Sequence, residues 1–209
     1  MADPGEHAIV VNGESTVRRV PDLAVVSLGV MARDRRPAVA RDEANRRATA
    51  ILARLGDLGV PDADVQAPSL TVQPTYDYSR SEAKLTGYQA SRPMTIRVRD
   101  IDLLGPILDG LVDDGATQIH GTSMELADAE AASREALAAA VTVARARAEA
   151  LARAAGVSLG GPIRIEEEAG DMSVVPMAMM RTAVESIPTE IAAGEIEINA
   201  RVRVWFAIG

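Results

Sequence analysis

The segment over residues 87–168 constrains the fold more than any other part of the chain, because strand and helix patterns alternate along it. Residues 88–98 alternate apolar and polar side chains, which predicts a strand with one solvent-facing side. Helical spacing follows over 102–114, a strand pattern over 117–126, and a long alanine-rich helix over 128–156. A short strand closes the segment. No residue in it belongs to a recognisable catalytic motif.

The remaining patterns add strands on both sides of this segment and one more helix. They predict, in chain order, strands over residues 9–11 and 23–31, a helix over 37–58, a strand over 65–74 and a closing strand over 196–208. Pro68 and Pro74 cannot donate to a strand ladder, so their strand is expected at a sheet edge or a bulge. Pro106 lies past the first turn expected for its helix, which predicts a kink or a helix that starts only near this residue.

These elements follow the order ββαββαβαββ, which mixes hairpins with strand–helix–strand crossovers. The predicted fold class is therefore α+β, with a mixed, largely antiparallel sheet and helices packed on one face. We expect a single domain over residues 1–209 with two pseudo-halves, about 8–100 and 101–209. Residues 1–7 are expected to be disordered, and residues 169–194 to form a long loop that contains methionine and proline.

Composition excludes several classes of function. The net charge of −8 argues against a nucleic-acid partner, because binding phosphates calls for a basic surface. The chain has no cysteine, which excludes disulfides and thiolate chemistry. No window approaches the roughly 18 apolar residues of a transmembrane segment. Residues 1–7 lack the regions of a signal peptide, so the sequence as written indicates a cytoplasmic protein, or a periplasmic, exported one if a leader has been removed.

A set of short landmarks covers nearly the whole chain. They are Val20-Pro21-Asp22-Leu23-Ala24-Val25-Val26, Gly87-Tyr88-Gln89-Ala90, Val98-Arg99-Asp100, Gly115-Ala116-Thr117-Gln118-Ile119, the helix over 128–156, and residues 159–160 and 163–168. Together these landmarks resemble the SIMPL-domain family, once described as a domain of unknown function.

The resemblance implies a self-associating, non-catalytic protein of the bacterial envelope or of a stress response. The family is named for a mammalian protein that binds an interleukin-receptor-associated kinase. Its bacterial relatives are mostly periplasmic or envelope proteins, some of them immunogenic, and none has an agreed enzymatic activity. As written, the sequence departs from the family pattern at two points: residues 1–7 do not read as the leader expected of a periplasmic member, and Pro106 lies within the predicted second helix.

The residues that could carry chemistry do not form a catalytic set. His7 and His120 are the two imidazoles, and the strand pattern around His120 favours a structural role. The acidic run over 166–168 could ligate a divalent cation, but neighbouring strand residues face opposite sides, which favours a solvated strand end. Asp62 and Asp64 lie where a turn is expected. We therefore predict no enzymatic activity, no metal site and no cofactor.

Two loops are the remaining candidates for function. The loop over 76–86 carries Tyr76 and Tyr78, and exposed aromatic residues at a hairpin end are typical of protein contacts. The segment over 169–194 carries four methionines: Met172, Met177, Met179 and Met180. Thioethers can bind Cu(I), form adaptable apolar contacts or cover a core. We predict a homo-oligomer or a protein that binds a protein partner through these six residues, with a small-ligand or Cu(I)-binding module as the alternative.

Overall fold

The computed structural model describes residues 7–79, 83–113, 116–168, 172–175 and 194–209. Within them it contains three α-helices and nine β-strands. The helices are α1 (Pro37–Asp57), α2 (Leu104–Asp113) and α3 (Ala129–Ala155). The strands are β1 (Ala8–Arg19), β2 (Leu23–Asp34), β3 (Val65–Gln66), β4 (Thr71–Asp77), β5 (Lys84–Val98), β6 (Gln118–Glu125), β7 (Leu159–Glu168), β8 (Met172–Val175) and β9 (Glu195–Ile208).

The strands divide into two antiparallel sheets, each in its own compact unit. One unit contains β1, β7, β8, β9 and α3, and the other contains β2 to β6 with α1 and α2. The predicted α+β class and antiparallel pairing are confirmed, with helices packed on one face of each sheet. Two sheets replace the single mixed sheet that was expected, because no described strand of one sheet pairs with a strand of the other.

β9 is the central strand of the first sheet, which we call the β9 sheet. It pairs with β1 from Ala8↔Ala207 to Arg19↔Ile196, and β7 and β8 pair with it as well. The alternating sequence pattern is realised here, because every second residue of β9 is buried. These buried residues are Ile196, Ile198, Ala200, Val202, Val204 and Phe206.

α3 covers the β9 sheet with a stripe of small residues. Six alanines spaced by four are buried along it: Ala132, Ala136, Ala140, Ala144, Ala148 and Ala152. Side chains of this size let the helix backbone come close to the sheet. The approach is tightest at Gly13 of β1, where an added Cβ would lie 2.0 Å from the carbonyl oxygen of Ala140. Ser15 Oγ donates a hydrogen bond of 2.6 Å to the Ala136 carbonyl along the same contact.

β2 is the central strand of the second sheet, which we call the β2 sheet. It pairs with β5 on one side and β6 on the other, and β3 and β4 both pair with β5. One face of β2 forms a core with α1 and α2. The buried residues of this face and of the two helices are Ala24, Val26, Leu28, Val30, Ala32, Ala40, Ala44, Ala48, Ile51, Leu55, Leu104, Ile107 and Leu111.

Glycine ends both long helices, as the sequence predicts. After α1, Gly59 has φ 82°, and the Val60 N–H donates to the Leu55 carbonyl at 2.9 Å. After α3, Gly156 has φ 70°. Such left-handed positions favour glycine, because a Cβ there meets the adjacent carbonyl oxygen.

Pro106 lies near the start of its helix. The chain first makes a 3₁₀ turn over Ile101–Leu103, and α2 then begins at Leu104. Pro106 therefore lies in the first turn of α2, where a backbone N–H has no partner inside the helix and its loss costs little. Of the two outcomes expected for this residue, the structure shows a helix that begins close to it.

Strand boundaries account for the other differences from the predicted order. The strand expected over 65–74 is divided into β3 and β4, with Pro74 inside β4 at the outer side of β5, consistent with the expected edge position. Much of the loop expected over 76–86 belongs to the strands of the β4–β5 hairpin. β8 lies within the segment expected as a loop over 169–194. The expectation of one domain with two pseudo-halves stays a prediction.

Candidate partner-binding site

The β4–β5 hairpin extends beyond the end of β2. The last pair between β2 and β5 is Asp34↔Tyr88, whereas β5 begins at Lys84 and pairs with β4 as far as Asp77. Residues 84–87 of β5 therefore have β4 on one side and no described strand on the side of β2. We call residues 75–79 and 83–87 the hairpin tip.

Apolar side chains are exposed at the hairpin tip. Tyr76 is 45% exposed and Tyr78 75%, and their ring centroids are 6.2 Å apart with planes inclined by 50°. Leu85, which pairs with Tyr76 across the hairpin, is 47% exposed. The two predicted tyrosines are thus brought together, and the structure adds Leu85 to them.

A cleft lies beside the tip, where the end of β2 meets β5. It consists of two depressions of about 570 and 600 Å³ that share Arg35, Thr86 and Gly87 in their lining. We call it the hairpin cleft. Gly87 is buried at its floor, where an added Cβ would lie 2.8 Å from the carbonyl oxygen of Asp34. Glycine therefore permits the close approach of the two chain segments that forms the cleft.

The carboxylates of the hairpin cleft are engaged within the protein. Asp34 Oδ1 accepts from the Arg36 backbone N–H at 2.8 Å and lies 3.9 Å from Arg36 Nε. Asp77 Oδ1 accepts from the Ser79 N–H at 2.9 Å, and hydrogen bonds from Ser79, chiefly this backbone one, hold the pKa of Asp77 below its usual range. Both carboxylates therefore already have hydrogen-bond donors within the protein.

The cations of the cleft are less engaged. Arg33 Nε donates to Gln89 Oε1 at 2.8 Å. For Arg35 and Lys84, the described residues provide no ion-pair partner and no side-chain hydrogen bond. Sequence reasoning did not identify these basic residues, although Lys84 is the single lysine of the chain and lies near the two tyrosines. Only the pairing of strands brings it close to Arg35.

The predicted methionines do not join this site in the described part of the chain. Met172 lies in β8, where it pairs with Ile198 of the β9 sheet, and so belongs to the other unit. Met177, Met179 and Met180 lie outside the described residues. Their role in partner contact, or in binding Cu(I), stays a prediction.

Three of the acidic residues considered from the sequence form ion pairs with arginines. Asp64 is 4% exposed, and both its oxygens accept from Arg99 at 2.7 Å. In β7, Glu166 pairs with Arg164, and Glu168 lies 3.9 Å from Arg201. Among the described residues, no three His, Asp or Glu side chains are grouped as metal ligands.

The histidines lie apart from these acidic groups. His120 is exposed on β6, and its Nε2 would lie 3.2 Å from a Cβ added at Gly29 of β2. His7 is exposed in the turn before β1. Neither has a hydrogen bond to a carboxylate that would orient it as a general base within the described chain.

The fold and this surface define an α+β protein with two helix-covered antiparallel sheets and a projecting aromatic hairpin. A family model for SIMPL, protein of unknown function (DUF541), matches residues 9–206. The chain therefore belongs to the SIMPL family, as its sequence landmarks suggest.

Curated relatives match over most of their length. The 26 kDa periplasmic immunogenic protein of Brucella melitensis is 33% identical over 210 residues, covering 96% of this chain and 84% of the relative. The uncharacterized protein YggE of Escherichia coli K12 is 29% identical over 179 residues, covering 86% and 72%. YggE of Edwardsiella ictaluri is 28% identical over 208 residues, covering 97% and 87%. Within the described residues, no helix combines the length and hydropathy needed to cross a bilayer.

Proposed function

We propose that this chain is a non-enzymatic protein of the bacterial envelope that binds other proteins through its hairpin tip. Its main partner in this proposal is a second copy of itself. The observation that carries the proposal is the cluster of Tyr76, Tyr78 and Leu85, exposed on a hairpin that projects past its own sheet. Tyrosine is enriched among the residues that dominate binding energy at protein interfaces.

The energetics of the tip favour a covered state. An isolated two-stranded hairpin is marginally stable in water, and residues 84–87 pair with β4 alone. Burying the exposed apolar area of Tyr76, Tyr78 and Leu85 against a partner would contribute about 25 cal/mol per Å² of area removed from water. Because the two rings already lie against each other, little side-chain freedom is lost when they are covered.

Exposed residues on edge strands provide a second contact for assembly. β6 and β7 are edge strands of their sheets among the described residues, and Ile119 on β6 is 42% exposed. Ile163 and Ile165 on β7 are each 52% exposed. Apolar side chains on an unpaired edge are a common surface for strand pairing between chains.

The relatives support the assignment to the envelope, and the contacts of the acidic residues and histidines support a non-enzymatic role. The Brucella relative is named a periplasmic immunogenic protein, and the family is described as of unknown function. In the described chain, Asp64, Glu166 and Glu168 are paired with arginines, and the histidines lack an orienting carboxylate. Nothing in the described residues favours Cu(I) binding, so no second function is proposed.

Multi-angle light scattering during size-exclusion chromatography tests the proposal. The full chain should elute at a multiple of its 22.0 kDa mass. The double variant Tyr76→Ser/Tyr78→Ser should shift toward the single-chain mass, with unchanged circular dichroism. Leu151→Ser removes a side chain of similar exposure, 50%, from α3 and is the matched control. A single-chain mass for the unmodified protein at every concentration would refute self-assembly through the tip.

A further inference from the structure

We propose that the hairpin cleft binds an acidic, extended peptide segment of a partner protein, an inference that rests on the proposed function and names the chemistry of the partner. The first reason is that the acidic groups of the cleft already have partners within the protein, whereas the basic groups have fewer. Asp34 and Asp77 already accept hydrogen bonds from the adjacent backbone N–H groups of Arg36 and Ser79. Lys84 lies opposite Asp77 in the β4–β5 register but forms no ion pair with it, and Arg35 forms no ion pair with any described residue.

Arg35 and Lys84 form no ion pair in the described chain, whereas the nearby carboxylates already accept hydrogen bonds, so these two cations are available to added negative charge. A guanidinium presents five N–H donors and an ammonium three, and Arg33 contributes a third cation that is held by a single bond to Gln89. Carboxylates of a partner would form charge-assisted hydrogen bonds with these donors, which are stronger than neutral ones. Neither Arg35 nor Lys84 would first have to break an ion pair within the described chain.

The shape of the cleft favours an extended peptide over a single small anion. Its lining runs along β5 from Lys84 to Tyr88, a length of about 13 Å at the rise of a strand. This length matches four or five residues of an extended chain. Arg33 lies opposite Gln89 and Lys84 begins β5, so these two cations are spaced along the strand, and a ligand with several spaced carboxylates can engage both.

Tyrosine rings border the same cleft. Tyr76 and Tyr88 line the larger depression together with Thr75 and Thr86. Phenol rings offer both apolar area and a hydroxyl donor, which suits a peptide backbone and its aliphatic side-chain carbons. The exposed Tyr76–Tyr78 pair at the tip continues this border. Basic and aromatic groups together are therefore available to one bound segment.

The charge of the whole chain argues against nucleic acid as the occupant. A net charge of −8 repels a long polyanion, whose binding depends on many phosphate contacts. A short acidic segment needs only the local field of the cleft. Local attraction over a few ångströms is screened by salt less than the long-range repulsion.

Fluorescence anisotropy with a fluorescein-labelled octaglutamate peptide tests the inference on the full chain. Saturable binding is expected at low ionic strength, with weakening at about 150 mM salt because the contacts are ionic. Unlabelled octaglutamate should compete, and octaglutamine should not. If an oligothymidylate of equal length competes better than octaglutamate, or if the peptide shows no saturable binding, the inference is overturned.

Charge reversal locates the binding. Arg35→Glu/Lys84→Glu should weaken octaglutamate binding by at least about tenfold. Arg41→Glu/Arg46→Glu changes the net charge equally on the exposed side of α1, where both arginines pair with neighbouring acids, and should weaken it far less. Equal weakening by both double variants would show that the overall charge of the protein attracts the peptide, not the cleft, and would overturn the inference. Circular dichroism confirms that each variant is folded.

The peptide-binding and mass measurements distinguish failure of the cleft inference from failure of the proposed self-assembly. If octaglutamate does not bind but the tyrosine variants change the mass of the assembly, the cleft inference is wrong and the hairpin tip still mediates self-assembly. If octaglutamate binds at the cleft while the unmodified protein has the mass of a single chain, self-assembly is wrong and the cleft inference stands.

Discussion

The carbonyl oxygen of Ala140 lies where a Cβ on Gly13 would have to be, 2.0 Å from its ideal position. Strand β1 and helix α3 therefore pack backbone against backbone at this point. Gly13 is buried between flanking strand residues, and its Cβ would also approach Ala144 Cβ at 2.9 Å. No side chain at position 13 can be accommodated without moving α3 away from the sheet.

Gly13→Ala should lower the free energy of unfolding by about 2–3 kcal/mol, because α3 must shift from β1 to relieve the overlap. Chemical denaturation followed by circular dichroism measures the change. Gly161→Ala in β7 is the matched control, since a Cβ there meets no atom within 4 Å. If Gly13→Ala lowers the free energy of unfolding no more than Gly161→Ala does, then α3 does not pack against β1 as closely as described.

Gly56 and Gly59 should respond to alanine in opposite directions. Gly56 is exposed inside α1 with nothing within 4 Å of an added Cβ, so Gly56→Ala should raise stability by about 0.5–1 kcal/mol through helix propensity. Gly59 has φ 82°, so Gly59→Ala should lower it by about 1 kcal/mol through backbone strain. Thermal melting of the two variants checks the signs. Changes of the same sign would contradict the described end of α1.

The Asp64–Arg99 ion pair should make stability depend on pH in the acid range. Hydrogen bonds from Arg99 hold the pKa of the nearly inaccessible Asp64 carboxyl below its ordinary value of 3.8. A carboxyl with a lowered folded pKa stabilises the protein fully above its unfolded pKa, and this contribution is lost as pH falls through the folded pKa. Asp64→Asn should therefore lower the urea midpoint at neutral pH and reduce its fall below about pH 4.

Asp62→Asn is the control for this pair, because Asp62 is the exposed acid of the same 3₁₀ turn. Its pH profile should follow that of the unmodified protein. If the urea midpoint of Asp64→Asn falls with acid pH as steeply as that of the unmodified protein, then the Asp64–Arg99 ion pair is not a source of the pH dependence.

Thr117 should hold the start of β6 against β2. Its Oγ1 accepts from the Met31 N–H at 2.6 Å and donates to the Gly29 carbonyl at 3.1 Å. Thr117→Val removes both bonds and should cost about 1 kcal/mol. Amide hydrogen exchange should become faster at Met31. Thr122→Val alters an exposed threonine of β6 and should leave the exchange rate of the Met31 amide unchanged. If both variants accelerate this exchange equally, the effect comes from the strand propensity of valine and not from the lost hydrogen bonds.

The fold was predictable where one local pattern determines one element. The alternation over residues 196–208 became β9, and the alanine spacing over 128–156 became α3. Strand 65–74 was predicted as one piece, yet its residues divide into β3 and β4, because pairing with β5 and not local propensity sets strand ends. β8 was missed because it is short and gains its strand geometry only by pairing with β9.

The candidate site was predictable in part. Tyr76 and Tyr78 follow from their position in a polar stretch between two strand patterns. Arg35 could not be linked to Lys84, because the two are far apart in the chain and meet only where β2 ends beside β5. Gly13 carries no local signal at all, since its need for glycine arises from a helix more than a hundred residues away.

By itself, the sequence determined the α+β class, the two long helices with their glycine ends and the family, since periodicity, capping and short landmarks act within one element or along a local stretch. The tertiary structure alone decided that the strands form two sheets, that α3 contacts β1 at Gly13, and that Arg35 and Lys84 line a cleft bordered by Tyr76. These features depend on which strands pair and in what register, and register is set by contacts between residues that are distant in the chain.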